Sequence, residues 1–237
     1  MKISVVIPAY NEEKYIGDCL QSVIDNRTDD FLEIIVVNNA STDSTAAVAQ
    51  RFLGVRVVAE PQKGLTKARQ RGLMEAKGDL IAYLDADTRM PAEWPAIVKE
   101  EFARHPDMVC LSGPFHYFDL PSRKKFFAEL MWTLTAAPTY WLLGFMVLGA
   151  NFVAKRDALM QIGGFDTSIA FYGEDTNIAL RLSKAGKVRF RTRFYIIGSG
   201  RRLTEEGLLR TFSRYAINYF SIAIKHKPYT ENHNDIR

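Results

Sequence analysis

Cysteine is scarce: Cys19 and Cys110 are the only two in 237 residues. Neither stands in a Cys-x-x-Cys or Cys/His spacing, so a disulfide framework or a structural zinc site has little support, and a reducing compartment is the default. Low-complexity runs are missing too, as is any internal repeat. With 47% hydrophobic and 24% charged residues, the chain is neither disordered nor a solenoid. Charge of one sign is in small excess, with a net charge of +4 and an isoelectric point near 9.0. That suits phosphate-bearing ligands or an anionic membrane surface and is too weak to imply nucleic acid. The histidines, His105, His116, His226 and His233, do not share a metal-ligand spacing, and His226 as a third metal ligand has only weak support.

Long uninterrupted apolar runs are also lacking. The opening run, Ile3 to Ile7, is stopped by Pro8 and is too short for a secretory signal, which predicts a cytoplasmic protein. From Leu130 to Ala154 no charge occurs, but Pro138, Gly144, Gly149, Asn151 and interspersed threonines interrupt the stretch. Its length alone would allow a membrane span. A buried helix followed by a strand is the favoured reading, with a span or a lipid-facing groove as alternatives. The tail mixes Arg210, Arg214, Lys225 and Lys227 with Leu, Phe, Tyr and Ile, which fits either an interfacial helix at the inner face of a membrane or ordinary amphipathic packing.

Near-continuous apolar runs at Ile3 to Ile7, Ile34 to Val37, Val55 to Val58 and Leu80 to Leu84 predict buried strands. Helical spacing of apolar residues at Glu12 to Ile24, Asp43 to Phe52 and Thr66 to Ala76 supplies the crossovers that parallel strands need. The fold class is therefore α/β, a Rossmann-like, mostly parallel sheet flanked by helices, whose ligands lie outside the carboxyl ends of the strands. We read residues 1–237 as one domain with a nucleotide-binding half (1–90), an acceptor-side half (91–203) and a basic amphipathic tail (204–237). A helix near Pro91 to Arg104 and a strand near Met108 to Leu111 open the second half.

Asp85-Ala86-Asp87 closes the fourth predicted strand. Continued as an extended chain, it would turn both carboxylates to one side, where two hard oxygen donors hold Mn²⁺ or Mg²⁺ against a diphosphate. An Asp-x-Asp pair is common by composition, so its place at a strand end is what carries weight. Capping of an acidic turn is the alternative role.

Further strand-end and loop motifs run in order along the chain: Ile7-Pro8-Ala9-Tyr10-Asn11-Glu12, Asn38-Asn39-Ala40-Ser41-Thr42-Asp43, Lys63-Gly64-Leu65-Thr66-Lys67-Ala68-Arg69, Asp85-Ala86-Asp87, Gly163-Gly164-Phe165-Asp166 and Gly173-Glu174-Asp175, with Arg181 beyond. With this series the chain resembles the inverting glycosyltransferase family 2, of GT-A fold. The resemblance covers roughly Lys2 to Ala185. It implies nucleoside contacts from Pro8, Tyr10, Glu12, Asn38 and Asn39, and phosphate-side contacts from Gly64 and Arg69. It also implies a metal on Asp87 and Asp85, with Asp85 reaching the ribose or metal-linked water, and a general base at Asp175 oriented by Glu174. Ser199-Gly200-Arg201-Arg202-Leu203 falls where processive members carry Gln-x-x-Arg-Trp, and it has neither the Gln nor the Trp. Extended polymer synthesis is thereby disfavoured, while Arg202 or Arg201 remains available to neutralise a departing diphosphate.

The resulting expectation is transfer of a sugar from a nucleotide diphosphate sugar to an acceptor hydroxyl, with a lipid-linked acceptor in view and no nucleic acid partner. Asn38-Asn39 stands where the family usually has an aspartate, which favours UDP over GDP, because an amide both donates and accepts. A nucleotidyltransferase and a non-catalytic sugar-nucleotide-binding protein at a membrane are the competing readings. The first lacks its Gly-rich, basic loop after the opening strand, where Pro8-Ala9-Tyr10-Asn11 stands instead.

Overall fold

A computed structural model describes residues 1–225 and 227–230. His226 and His233 lie outside the described residues. The chain begins with β1 (Ile3–Ala9), α1 (Ile16–Asp25), β2 (Phe31–Asn38), α2 (Thr45–Ala49), β3 (Val55–Ala59), α3 (Leu65–Glu75) and β4 (Leu80–Leu84). Every residue of β1 and β4 is buried, as near-continuous apolar strands must be when layers cover both faces of a sheet. Val5 and Ile7 pack on one face with Ile16, Leu20 and Val23 of α1, while Val6 packs on the other with Ala68 and Leu73 of α3. The four strands run parallel in the order β3-β2-β1-β4. The direction of winding therefore reverses at β1 and β4, and the crevice beyond their carboxyl ends is where such a sheet receives ligands.

The remaining elements are β5 (Thr88–Arg89), α4 (Trp94–Arg104), β6 (Met108–Ser112), β7 (Phe115–Tyr117), α5 (Ser122–Leu143), β8 (Asn151–Lys155), α6 (Arg156–Gln161), α7 (Glu174–Ser183), β9 (Lys187–Phe190), β10 (Ile196–Gly198), α8 (Arg201–Glu205) and α9 (Leu208–Lys225). Strand β8 enters antiparallel between β4 and β6, so the seven-stranded sheet β3-β2-β1-β4-β8-β6-β9 is mostly parallel and is shared by both halves of the chain. A three-stranded sheet, β5-β10-β7, pairs Gly198 with Thr88 and so brings the chain after β10 beside the turn that follows β4.

Two expectations need correction. Helix α1 begins at Ile16 rather than Glu12, because Asn11 turns with φ at 51° and its side chain accepts from Thr42 N–H. A helix followed by a strand does occupy the uncharged stretch, but the helix is not buried throughout: Leu130 is 39% exposed and Leu134 61%. Among the described residues no helix is long and apolar enough to cross a membrane. Cys19 and Cys110 are free and buried in the core.

Candidate functional site at the carboxyl edge

The chain leaves β4 at Leu84 and turns, with Thr88 N–H and hydroxyl both donating to Asp85 O. This corrects the strand-pleat argument for Asp85 and Asp87: period-two alternation holds only for extended chain, and here a turn places the two carboxylates. Ala86 is buried while Asp85 and Asp87 stay partly accessible. Each has its own arginine, with Arg69 Nη2 3.0 Å from Asp85 Oδ1 and Arg201 Nη2 3.0 Å from Asp87 Oδ2.

Around the first two loops, Pro8 lies inside β1, paired with Val37, and the Tyr10 ring carries Lys63 Nζ 3.9 Å from its centroid. Glu12 is buried and accepts from both terminal nitrogens of Arg201. The asparagines divide their work. Asn39, expected at the base, instead spends its amide on the protein, donating to Glu60 O and Gln62 O and accepting from Gly64 N–H at 2.8 Å. A full set of backbone partners makes it a clamp on the loop before α3, the loop in which Gly64 takes φ of 152°. Asn38 differs: its Oδ1 is buried with no hydrogen-bond partner, a cost of about 1–3 kcal/mol unless something supplies a donor.

Arg69 is 1% exposed and is the hub of the site. Beyond Asp85 it donates to Gly149 O and forms an ion pair with Glu174, the first residue of α7. The Nη1 contact to Glu174 is charge pairing without hydrogen-bond geometry, and Glu174 Oε2 is buried with no hydrogen-bond partner. Gly149 leaves room for this ion pair, because a Cβ there would sit 2.6 Å from Glu174 Oε1 and push the two side chains apart. Burial pushes the Glu174 carboxyl up to about 7 against the pull of Arg69, and neighbouring Asp175 and Asp85 add to the rise. Asp175 is likewise raised, chiefly by burial, although its Oδ1 accepts from Thr176 N–H at 2.7 Å. Arg69 thus joins the strand-end acid to the helix-start acids, and the sequence placed it only near phosphates.

Two further couplings hold the frame. Gln70 accepts from Phe165 N–H at 2.8 Å, and Arg181 donates to Gly164 O, which together pin the Gly163-Gly164-Phe165 segment against α3 and α7. Arg202 instead pairs with Glu206 and lies over the Phe171 ring. Of the two candidates for the diphosphate, Arg201 is therefore the one beside Asp87. Sequence reasoning missed Asp119, which accepts from Ser199 Oγ and Gly200 N–H and so fixes the loop carrying Arg201. A lone aspartate in an irregular segment offers no local pattern by which to find it.

Among the described residues no three His, Cys, Asp or Glu side chains converge as a metal cage. The donor set still fits Mg²⁺ or Mn²⁺. Such ions take one or two carboxylates and complete their shell with substrate phosphates and water, and Asp85 and Asp87 are hard oxygen donors at the ligand edge of the sheet.

A Rossmann-like, mostly parallel sheet with acids at its switch point, joined through Arg69 to the acids that open α7, is a GT-A fold. Residues 4–163 match glycosyl transferase family 2, and the chain belongs to that family. It is 24% identical over 193 residues to the glucosyl-dolichyl phosphate glucuronosyltransferase of Haloferax volcanii, covering 73% of this chain and 59% of that one. It is 27% identical over 207 residues to the probable glycosyltransferase YdaM of Bacillus subtilis, covering 80% of this chain and 48% of that one. The chain thus spans about half to three-fifths of these relatives' length. Among solved structures, the mannosyltransferase PcManGT from Pyrobaculum calidifontis in complex with GDP-Man and Mn²⁺ superposes with a TM-score of 0.73 at 22% identity, over 94% of this chain and 64% of that one. Glucosyl-3-phosphoglycerate synthase from Mycobacterium tuberculosis, in complex with Mn²⁺, UDP and phosphoglyceric acid, gives 0.67 at 19% identity, over 94% and 78%.

Proposed function

We propose that the chain is an inverting, metal-dependent glycosyltransferase that moves a sugar from a nucleotide diphosphate sugar to an acceptor hydroxyl. The observation that carries this reading is the buried Arg69, whose one guanidinium touches both Asp85 on the donor side and Glu174 on the acceptor side. In a single displacement, the acceptor oxygen attacks the anomeric carbon as the bond to the diphosphate oxygen breaks. Asp175 takes the hydroxyl proton, and Glu174 Oε2, a buried acceptor without a protein partner, orients the incoming hydroxyl. A divalent cation supplies charge neutralisation for the departing diphosphate. Asp87 and Asp85 are the residues to hold it. A screen of sugar nucleotides for metal-dependent diphosphate release, with and without lipid extract, tests the reaction class. Binding without transfer or hydrolysis for every donor would leave only a sugar-nucleotide-binding protein.

The base follows from Asn38. Uracil presents one N–H between two carbonyls, whereas guanine presents two adjacent N–H donors. The orphaned Asn38 Oδ1 accepts one donor while its amide hydrogens serve a carbonyl. An unpaired polar group in a closed pocket costs about 1–3 kcal/mol. Titration calorimetry in Mn²⁺ should therefore give UDP an advantage over GDP of about tenfold to a hundredfold. Equal affinities would remove Asn38 from base recognition.

A lipid-linked acceptor at a membrane surface is supported by two exposed faces. Phe126, Phe127, Leu130 and Leu134 emerge from α5 just after Arg123 and Lys124, and Leu209, Ile217, Phe220 and Ile224 emerge from α9 with Arg210 and Lys225. Apolar stripes flanked by cations are how interfacial helices bind anionic lipid. The protein should float with anionic liposomes at low salt, and Leu134→Glu combined with Phe127→Glu should reduce the floating fraction several-fold. Wild type remaining wholly in the soluble fraction would end the peripheral-membrane reading.

A further inference from the structure

A loop cation lies across the acidic edge of the site. Arg201 Nη2 is 2.5 Å from Glu12 Oε1 and 3.0 Å from Asp87 Oδ2, and its Nη1 is 3.0 Å from Glu12 Oε2. The side chain is only 19% exposed and its guanidinium lies 5.0 Å from the centroid of the Tyr15 ring. Nothing about this position is left to the side chain alone. Asp119 accepts from Ser199 Oγ at 2.5 Å and from Gly200 N–H at 2.6 Å, and Ser199 N–H donates to Asp87 O at 3.2 Å. Gly200 has no room for a Cβ, which would run into Leu120. The β5–β10 pairing and this clamp therefore deliver a fixed positive charge to the carboxylate that the proposed mechanism assigns to the metal.

A Mg²⁺-sized cation coordinated at Asp87 would stand about 2.0–2.1 Å from a carboxylate oxygen. Arg201 already sits at 3.0 Å from Oδ2 of the same group. Two positive centres on one small carboxylate repel each other strongly in a partly desolvated crevice. We propose that Arg201 is an internal counter-cation of Asp87 and Glu12 that competes with the divalent metal in the nucleotide-free site, with Asp119 as the residue that positions it. Phosphate oxygens are the natural second partner for a guanidinium. An arriving diphosphate would draw Arg201 away and leave Asp87 free to hold a divalent cation, so Mn²⁺ binding tightens when the nucleotide is present. The inference rests on the reading of Asp87 as a metal ligand.

The test is a titration of the full chain with Mn²⁺, following the free-ion signal by electron paramagnetic resonance, first without nucleotide and then with UDP or GDP. Without nucleotide, Arg201→Gln should bind Mn²⁺ about tenfold or more tightly than wild type, a difference of about 1.4 kcal/mol. Asp119→Ala, which keeps Asp85, Asp87, Glu12 and Arg201 in the sequence but removes the acceptor that fixes the Arg201 loop, should shift affinity the same way by a smaller factor. It also carries the test if circular dichroism shows Arg201→Gln unfolded. With either nucleotide bound, the gap between variant and wild type should narrow. Equal nucleotide-free affinities in wild type and Arg201→Gln, with binding lost in Asp87→Ala, would overturn the competition and leave the metal site standing. Unchanged Mn²⁺ binding in Asp87→Ala would overturn the metal reading itself, and the competition with it.

Discussion

Asp87→Ala is expected to reduce transfer by about 10²- to 10³-fold, the range for removing a group that stabilises charge in a transition state, and to weaken nucleotide diphosphate binding in Mn²⁺. Asp87 stands in the turn after β4, outside the buried strand, and its side chain is 14% accessible. On the proposed reading its loss removes one of the two carboxylates, Asp85 and Asp87, that would hold a divalent cation against the diphosphate. The substitution also frees one side of Arg201, whose remaining carboxylate partner is Glu12. The fold should survive, because the β4 core is unaffected and Thr88 bonds to the Asp85 backbone rather than to Asp87. Calorimetry on the purified variant, in saturating Mn²⁺, is the check. Wild-type affinity for the diphosphate would show that the cation is held elsewhere.

Asp175→Asn should leave nucleotide affinity near wild type while lowering kcat by about 10²-fold or more, the usual scale for loss of a positioned base. The variant is nearly isosteric and keeps the Oδ1 that accepts from Thr176 N–H, so α7 retains its start. The pH dependence follows from the sign of the shift. Burial raises Asp175 above its ordinary value and lifts Glu174 to about 7. A base must be unprotonated to act, so kcat should fall as pH drops through a limb lying above the ordinary carboxylate range. Because Glu174 and Asp175 are adjacent and interact, that limb belongs to the pair. In Asp175→Asn the residual rate should lose most of this dependence. A variant with near wild-type kcat on an identified acceptor, or a wild-type profile flat down to the ordinary carboxylate range, would remove Asp175 from the base's role.

Local sequence was enough to order the elements of the first half. Runs such as Ile34 to Val37 have no polar face and are too short for helices, and periodic segments such as Thr66 to Ala76 expose one face only. Once the strands are parallel, the loops after β1 and β4 must meet at the switch point, so crossover geometry alone puts Tyr10 to Glu12 beside Asp85 to Asp87. The exposed face of α5 was not legible. An uncharged segment buries itself only where something covers it, and composition does not say what that is.

Periodicity and crossover geometry, both local properties of the chain, dictated the alternation of strands and helices, the mostly parallel sheet and the edge at which its acids gather. The partners were decided only by the tertiary fold: Arg69 between Asp85 and Glu174, Asn39 as a loop clamp while Asn38 keeps an open acceptor, and Arg201 rather than Arg202 on Asp87. Arg201 and Glu12 are 189 residues apart and meet only because β10 pairs with β5 beside the turn after β4. Such a contact depends on long-range strand pairing and on side chains leaving irregular loops, and no local pattern encodes either.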